Sequence, residues 1–316
     1  MKKNILMLVA AMCALATGVF AQQRPIYDQY HFNYYLLNPA VAGAERCSHL
    51  MLTGKQSWIG KDGPSTYLLS YRTRLNTKNI GLGGYLYNDH TPQFNYVGGQ
   101  FTFAYHIPLS NGSRYSKRVE LDRQLSFGVS ARLKYLHYTA VDGFDDDPAN
   151  ETDGEIMPDF NVGVYYTSYG FFGGLSFTNL IPFKPAILGD TYDYENLTGF
   201  LFAGYDFDFN EFQTLEPSAN FNFDVDGHMQ MELNLKYMQN DQLTNFGWWA
   251  QLSYRHVLDP GNVQPLSLIP IVGLRFNKFQ LAYAFNLTLN ELASKTYGTH
   301  ELMLAYSFCV PRRFCR

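Results

Sequence analysis

Apolar and polar side chains alternate along this chain in repeated stretches of roughly eight to twelve residues. Residues 229–237 show it most clearly. Met229, Met231, Leu233, Leu235 and Tyr237 share one face, and Gln230, Glu232, Asn234 and Lys236 the other. Residues 246–254 set Phe246, Trp248, Ala250, Leu252 and Tyr254 against Gly247, Trp249, Gln251 and Ser253. Residues 125–135 set Leu125, Phe127, Val129, Ala131, Leu133 and Tyr135 against Ser126, Ser130, Arg132 and Lys134. At residues 300–308, Leu302, Leu304, Tyr306 and Phe308 alternate with Glu301, Met303, Ala305 and Ser307. Period-2 alternation is the mark of a half-buried strand, and helical periodicity fits none of these segments.

Such segments number about fourteen. They centre near residues 52, 68, 84, 100, 130, 164, 174, 202, 218, 233, 251, 270, 284 and 304. The prediction is all-β: one closed antiparallel transmembrane β-barrel over residues 47–308, preceded by a periplasmic or lumenal segment at 22–46 and followed by a periplasmic tail at 309–316. A last strand ending in an aromatic suits the interface girdle of an outer-membrane barrel. Composition agrees: 24 Tyr, 25 Phe and 26 Gly stand against only 16% charged residues. After residue 21 no run approaches the roughly eighteen apolar residues of a membrane helix.

Residues 1–21 read as a signal peptide. Lys2 and Lys3 give the charged start, residues 5–20 the apolar run, and Val19-Phe20-Ala21 a cleavage site, so the mature chain begins at Gln22. The run is too short for a membrane anchor. With both termini in the periplasm, the loops near 58–64, 88–93, 139–157, 181–196, 256–264 and 289–299 face outward. The connections near 168–170 and 277–278 are short and face inward, the asymmetry expected of such barrels. The connection at 109–124 is long, charged and periplasmic. Either it docks a partner or strand parity slips there.

The lumenal face carries Arg132, Lys134, Glu216, Glu232, Lys236, Arg255, Arg275 and Glu301. Charges of mixed sign in a narrow interior tend to pair. A filled or plugged lumen is therefore expected rather than a wide, wet pore. Residues 22–46 are unusually aromatic for an exposed arm, with Tyr27, Tyr30, Phe32, Tyr34 and Tyr35 close together. Such a segment must pack on the barrel interior, the periplasmic mouth or a partner. Asn38-Pro39 and Gly43 are turn formers that re-aim the chain into the first strand. Tyr27, Gln29, Tyr30, Phe32, Tyr34, Asn38 and Pro39 are the candidate plug or docking residues. Arg312 and Arg313 are the candidate contact residues of the tail.

Three cysteines remain in the mature chain: Cys47, Cys309 and Cys315. Strands one and last must pair in a closed barrel. Cys47 therefore lies near Cys309 or Cys315 on the periplasmic rim, where a disulfide with one of them is permitted. No C-x-x-C spacing argues for zinc. There is no G-x-S-x-G, no H-E-x-x-H and no phosphate loop, so no catalytic residue, cofactor or metal is expected. The acidic stretch at 142–155 lacks calcium-hand spacing and reads as a solvated loop. The net charge of −4 offers no nucleic-acid surface.

Residues 27–43 read Y-D-Q-Y-H-F-N-Y-Y-L-L-N-P-A-V-A-G, and residues 55–75 read K-Q-S-W-I-G-K-D-G-P-S-T-Y-L-L-S-Y-R-T-R-L. Residues 80–89 read I-G-L-G-G-Y-L-Y-N-D, and the end carries G-T-H-E-L-M-L-A-Y-S-F. Together these resemble the PorP/SprF family of Bacteroidetes outer-membrane proteins over essentially the whole mature chain. Trp58, two residues after Gln56, and the extension 309–316 depart from the family pattern. The resemblance implies a non-enzymatic part in type IX secretion or its gliding-motility branch. The implied partners are periplasmic ring and lipoprotein components, or secreted cargo anchored at the surface, with outer-membrane lipid around the wall. Two other functions compete: a barrel transporter for hydrophobic solutes, similar to fatty-acid channels, and an outer-membrane enzyme such as a lipase.

Overall fold

The computed structural model describes residues 33–309, apart from residues 46, 60–62, 76–78, 93, 110–122, 139–153, 184–195, 242–244, 290–292 and 294–296. Among the described residues no helix is long and apolar enough to cross a membrane. The chain crosses with strands instead. In order these are β1 (Cys47–Gln56), β2 (Ser65–Arg74), β3 (Ile80–His90), β4 (Phe94–Pro108), β5 (Arg123–Tyr138), β6 (Glu155–Ser168), β7 (Phe171–Thr178) and β8 (Thr198–Tyr205). There follow β9 (Phe207–Asp208), β10 (Gln213–Asp224), β11 (Met229–Asp241), β12 (Phe246–Asp259), β13 (Asn262–Phe276), β14 (Phe279–Thr288) and β15 (Thr299–Cys309).

Each strand pairs antiparallel with the next in sequence, except that β8 and β9 both pair with β10, and β15 pairs back onto β1 from Cys47↔Cys309 to Gln56↔His300. β9 continues β8 beyond Asp206 on the same side of β10, so the wall has fourteen strands. Closure leaves no open edge to be satisfied in lipid.

Sequence alternation sets the two faces. On β15, Leu302 and Leu304 are about half exposed to the outside, while Glu301, Met303 and Ala305 are buried within. On β11, Leu233 and Leu235 face out, while Glu232, Asn234 and Lys236 are buried. A one-residue slip of register would put those charges into lipid.

Two expectations about boundaries change, and one open alternative is resolved. The loop expected at 256–264 is a two-residue hairpin, because β12 runs to Asp259 and β13 starts at Asn262. A register shift between Arg255 and His256, opposite Pro265, interrupts the alternation there and hid the strand ends. The last strand spans Thr299–Cys309, so Cys309 closes it rather than following it. At the long connection, β4 and β5 stay in register down to Pro108↔Gln124, so parity does not slip.

Candidate functional site

Residues 33–45 lie inside the wall rather than outside it. Two 3-10 turns, Tyr34–Leu36 and Pro39–Val41, fold them compactly. The sequence explains the second turn. Asn38 caps it by accepting a hydrogen bond from the Ala40 amide, and Pro39 occupies its first position with φ already set. Gly43, at φ 71°, then redirects the chain toward β1.

The segment crosses the lumen. Asn33 Nδ2 donates to Ser70 Oγ of β2 at 2.9 Å. The Tyr35 hydroxyl sits 2.8 Å from Thr102 Oγ1 of β4. Tyr34 stacks on Phe202 of β8, with ring centroids 4.7 Å apart, and meets Phe172 of β7. Asn38 Nδ2 donates to the carbonyls of Val164 and Leu175, and Ser176 Oγ donates to the Leu37 carbonyl at 2.6 Å. Near the end of the barrel where β1 begins, His106 and Gln124 donate to the carbonyls of Ala42 and Ala44. Tyr35, Val41, Ala40, Ala42 and Ala44 join Tyr165, Phe172 and Phe202 in one buried cluster. Burying Tyr35 alone is worth about 1.5–3 kcal/mol.

Glycines make room for this backbone. A Cβ on Gly163 would stand 2.1 Å from Asn38 Oδ1, and one on Gly128 2.2 Å from the Ala40 nitrogen. Only a residue without a side chain allows such an approach. These glycines fall on inward positions of β5 and β6, where they form a groove shaped to the segment.

Glu45 ties the segment to the closing seam. Its carboxylate lies 2.8 Å from Arg72 Nη2 on β2 and 2.8 Å from His49 Nε2 on β1. His49 Nδ1 reaches Ser307 Oγ on β15 at 3.0 Å. Burial alone would raise the Glu45 carboxyl, but Arg72 and His49 outweigh it and hold the group well below its ordinary value. Below this cluster Cys47 is disulfide-bonded, and its partner across the register is Cys309.

The predicted lumenal charges all face inward, and the structure sorts them into local pairs. Lys236 Nζ lies 2.9 Å from Glu216 Oε2, and Arg255 Nε 2.7 Å from Glu232 Oε2. Each pair sits directly opposite across neighbouring strands. Arg132 meets Asp159 and Asn179, and Arg275 donates to Asn240 Oδ1 at 2.6 Å. Lys134 and Glu301 are buried on the same face. Asp159 and Asn179 escaped the sequence reading. They become visible as partners only once the strand register is known.

Tyr34, Asn38 and Pro39 are thus brought together inside the barrel. Tyr27, Gln29, Tyr30, Phe32, Arg312, Arg313 and Cys315 lie outside the described residues, as do the leader and most of the acidic stretch at 142–155. Among the described residues no three His, Cys, Asp or Glu side chains gather to hold a metal. Besides the His49–Ser307 contact at the seam, one further Ser–His contact occurs among the described residues, between Ser126 Oγ and His106 Nδ1 at 2.8 Å. Both side chains are fully buried, and His106 Nε2 is committed to the Ala42 carbonyl. The pair therefore fastens the inner segment and offers no substrate approach.

The fold is shared with solved barrels. The toluene transporter TodX of Pseudomonas putida aligns at TM-score 0.51 with 11% identity, over 88% of this chain and 94% of that one. A FadL homologue of Pseudomonas aeruginosa aligns at 0.50 with 10% identity, over 92% and 95%. The CymD monoaromatic hydrocarbon channel aligns at 0.50 with 11% identity, over 90% and 93%. At these identities the likeness is one of fold. No curated protein sequence matches the chain. The family model for the type IX secretion system membrane protein PorP/SprF covers residues 19–306, so the chain belongs to the PorP/SprF family.

Proposed function

We propose that this chain is a plugged, non-enzymatic outer-membrane component of type IX secretion that works by binding other proteins. The observation that carries the reading is the inner segment at 33–45. It is hydrogen-bonded to β2, β4, β6 and β7 and salt-bridged at the seam. A lumen crossed in this way supports a sealed wall better than a pore. Partner contact then falls to the end of the barrel where β1 begins, β15 ends and β4 is joined to β5, which on this reading faces the periplasm. The partners that fit are the periplasmic ring and lipoprotein components of the machine, with secreted cargo held at the opposite face. Arg312 and Arg313 supply a basic strip to the tail.

Affinity isolation from native outer membranes tests this. Ring or lipoprotein components are expected to co-purify, and removing residues 22–42 is expected to abolish secretion. Normal secretion and normal assembly after that deletion would overturn the reading. A second reading, passage of a hydrophobic solute, is favoured by one observation. The lumenal face of β12–β15 carries an apolar strip of Trp249, Ile269, Ile271, Ala282, Ala284 and Met303. Solute uptake lost on gene deletion, with secretion intact, would favour that alternative.

A further inference from the structure

An aromatic belt runs round the end of the barrel where β1 begins. Tyr166 and Phe171 touch, Tyr205 is in register with Phe171, and Tyr237 lies against Trp248. Such a belt marks the edge of the hydrocarbon. β6 turns into β7 there through Tyr169 and Gly170, and β13 into β14 through Asn277 and Lys278. After β8, by contrast, the chain runs on through β9, and β10 begins only at Gln213. Phe209 lies four residues beyond Tyr205. At about 3.3 Å per residue and a strand tilt of about 40°, that carries it about 10 Å past the belt. The headgroup layer is about 5–8 Å deep, so the tip of this turn clears the lipid.

The turn reads D-F-D-F-N-E-F-Q over residues 206–213, with three acidic residues, three phenylalanines and no basic residue. Phe209 is 65% exposed, and Phe207 and Phe212 are near half. Tyr169, 67% exposed, is brought alongside because the Asp206 amide donates to the Gly170 carbonyl. Large apolar side chains held out in water mark a protein contact. Their exposure is built in. Asn210 Oδ1 accepts from the Phe212 and Gln213 amides at 2.9 Å, Thr214 Oγ1 donates to Asp208 Oδ1 at 2.8 Å, and the Phe209 amide donates to the Gln213 carbonyl. A turn held in one shape pays little ordering entropy on binding. Between it and the end of β11 lies a cleft of about 340 Å³, lined by Asn210, Phe212, Gln213, Gln239, Asn240 and Asp241. Amides and a carboxylate make up that lining apart from Phe212, which suits the donors of a lysine or arginine. Asp208, Glu211 and Asp241 border it, against Arg275, which donates to Asn240 Oδ1.

We propose that the turn at 206–213 is the docking point for a periplasmic protein that offers a basic side chain beside an apolar groove. Phe209 and Phe212 enter the groove, and the basic side chain enters the cleft beside Asp241. Lipid does not fit, because the tip lies beyond the headgroups. A second copy of the same acidic turn is repelled. This rests on reading the chain as a binder of secretion partners with this end in the periplasm, and the experiment separates the two claims.

A photoreactive benzoylphenylalanine is placed at Phe209 of the full chain in cells, or separately at the lipid-facing Leu233, and the irradiation products are mapped by mass spectrometry. The Phe209 probe is expected to join a ring or lipoprotein component through a peptide that carries Lys or Arg next to apolar residues. The Leu233 probe is expected to join none. Asp208→Asn, Glu211→Gln and Asp241→Asn together keep the rings in place and are expected to cut the Phe209 product about tenfold. Phe212→Ser is expected to cut it as well, in a barrel of unaltered gel mobility. A Phe209 product with lipid, with a second copy or with secreted cargo overturns the proposal. So does the absence of any product, or a yield that neutralising the three carboxylates leaves unchanged. Co-purification of ring and lipoprotein components with the parent is measured alongside. If they co-purify while the Phe209 probe joins none of them, the docking point fails and the binding function stands. If none co-purifies and none is cross-linked, the binding function fails as well.

Discussion

Asn38 and Val164 stand 126 residues apart in sequence, yet the Asn38 side-chain amide donates to the Val164 carbonyl at 2.9 Å. The same side chain reaches Leu175 and caps its own turn, and it is wholly buried. One residue thus fastens the inner segment to two strands of the wall. Asn38→Ala leaves two strand carbonyls and one turn amide short of a partner, at a cost of about 1–3 kcal/mol in docking. Hydrogen exchange at residues 33–45 should quicken in this variant while exchange in β11–β13 stays unchanged.

Gly163 tests the groove from the other side. Gly163→Val places a Cβ where only 2.1 Å separates it from Asn38 Oδ1, and that oxygen is fixed at both ends of its side chain. The segment, held by a few hydrogen bonds and one buried cluster, should yield before the barrel ladder does. The expected outcome is a folded barrel whose single-channel conductance in planar bilayers rises well above that of the parent. An unchanged conductance would show that the segment does not close the lumen.

The wall was legible in the chain because alternation in β5, β11, β12 and β15 is enforced by two different solvents. Leu233 and Leu235 must meet lipid, and Glu232 and Lys236 must not. Where a bulge or proline breaks the period, as at Arg255–Pro265, legibility failed. The lumenal charges could be listed, but their pairing could not, since Glu216↔Lys236 and Glu232↔Arg255 depend on register between strands. Asp159 went unnoticed beside Pro158 for the same reason. The groove glycines were invisible, because nothing in a lone glycine names the distant backbone that approaches it. The apolar strip was concealed as well. Met303 and Ala305 fall on the face that Glu301 and Ser307 mark as polar.

The pair Glu216–Lys236 offers a test of lumenal charge. Both side chains are under 10% exposed, so an unmatched partner would be stranded in a poorly solvated interior. Lys236→Met alone should destabilise the barrel by about 3–5 kcal/mol, whereas Glu216→Met with Lys236→Met should come close to the parent. Urea unfolding in detergent, followed by tryptophan fluorescence, reads both. Equal losses in the single and double variants would mean that the two charges do not act as a pair.

The Glu45 carboxylate gives the segment a pH dependence of defined sign. Its folded pKa lies below the ordinary 4.5, because Arg72 and His49 overcome the effect of burial. A depressed carboxylate adds stability that is fully present above the unfolded value and is lost as pH falls through the folded one. At pH 7 Glu45→Gln should therefore be less stable than the parent, by on the order of 1 kcal/mol for a partly exposed ion pair. The gap should close progressively below about pH 4.5. Unfolding curves at pH 7 and pH 3 test this, and a gap that widens in acid would reverse the sign.

The seam between β1 and β15 joins the two ends of the barrel sequence. Cys47 is disulfide-bonded there, and Cys309 is its register partner. Directly opposed residues on antiparallel strands have Cα atoms about 4.5–5.5 Å apart, within the span a disulfide bridges without moving backbone. Cys315, six residues further along the tail, has no such constraint from the ladder. The expected bridge is therefore Cys47–Cys309, with Cys315 left as the odd thiol. Non-reducing peptide mapping should recover the Cys47 peptide joined to Cys309. Cys315→Ser should leave that product unchanged, and Cys309→Ser should abolish it. Because the bridge spans nearly the whole barrel, its loss should cost about 2–4 kcal/mol, chiefly by freeing the unfolded chain. The loss should appear as a lower unfolding temperature in Cys309→Ser that reducing agent reproduces in the parent. A Cys47 peptide joined instead to Cys315 would place the clasp in the tail and leave the seam itself held by the β1–β15 ladder and the Glu45–His49–Ser307 contacts.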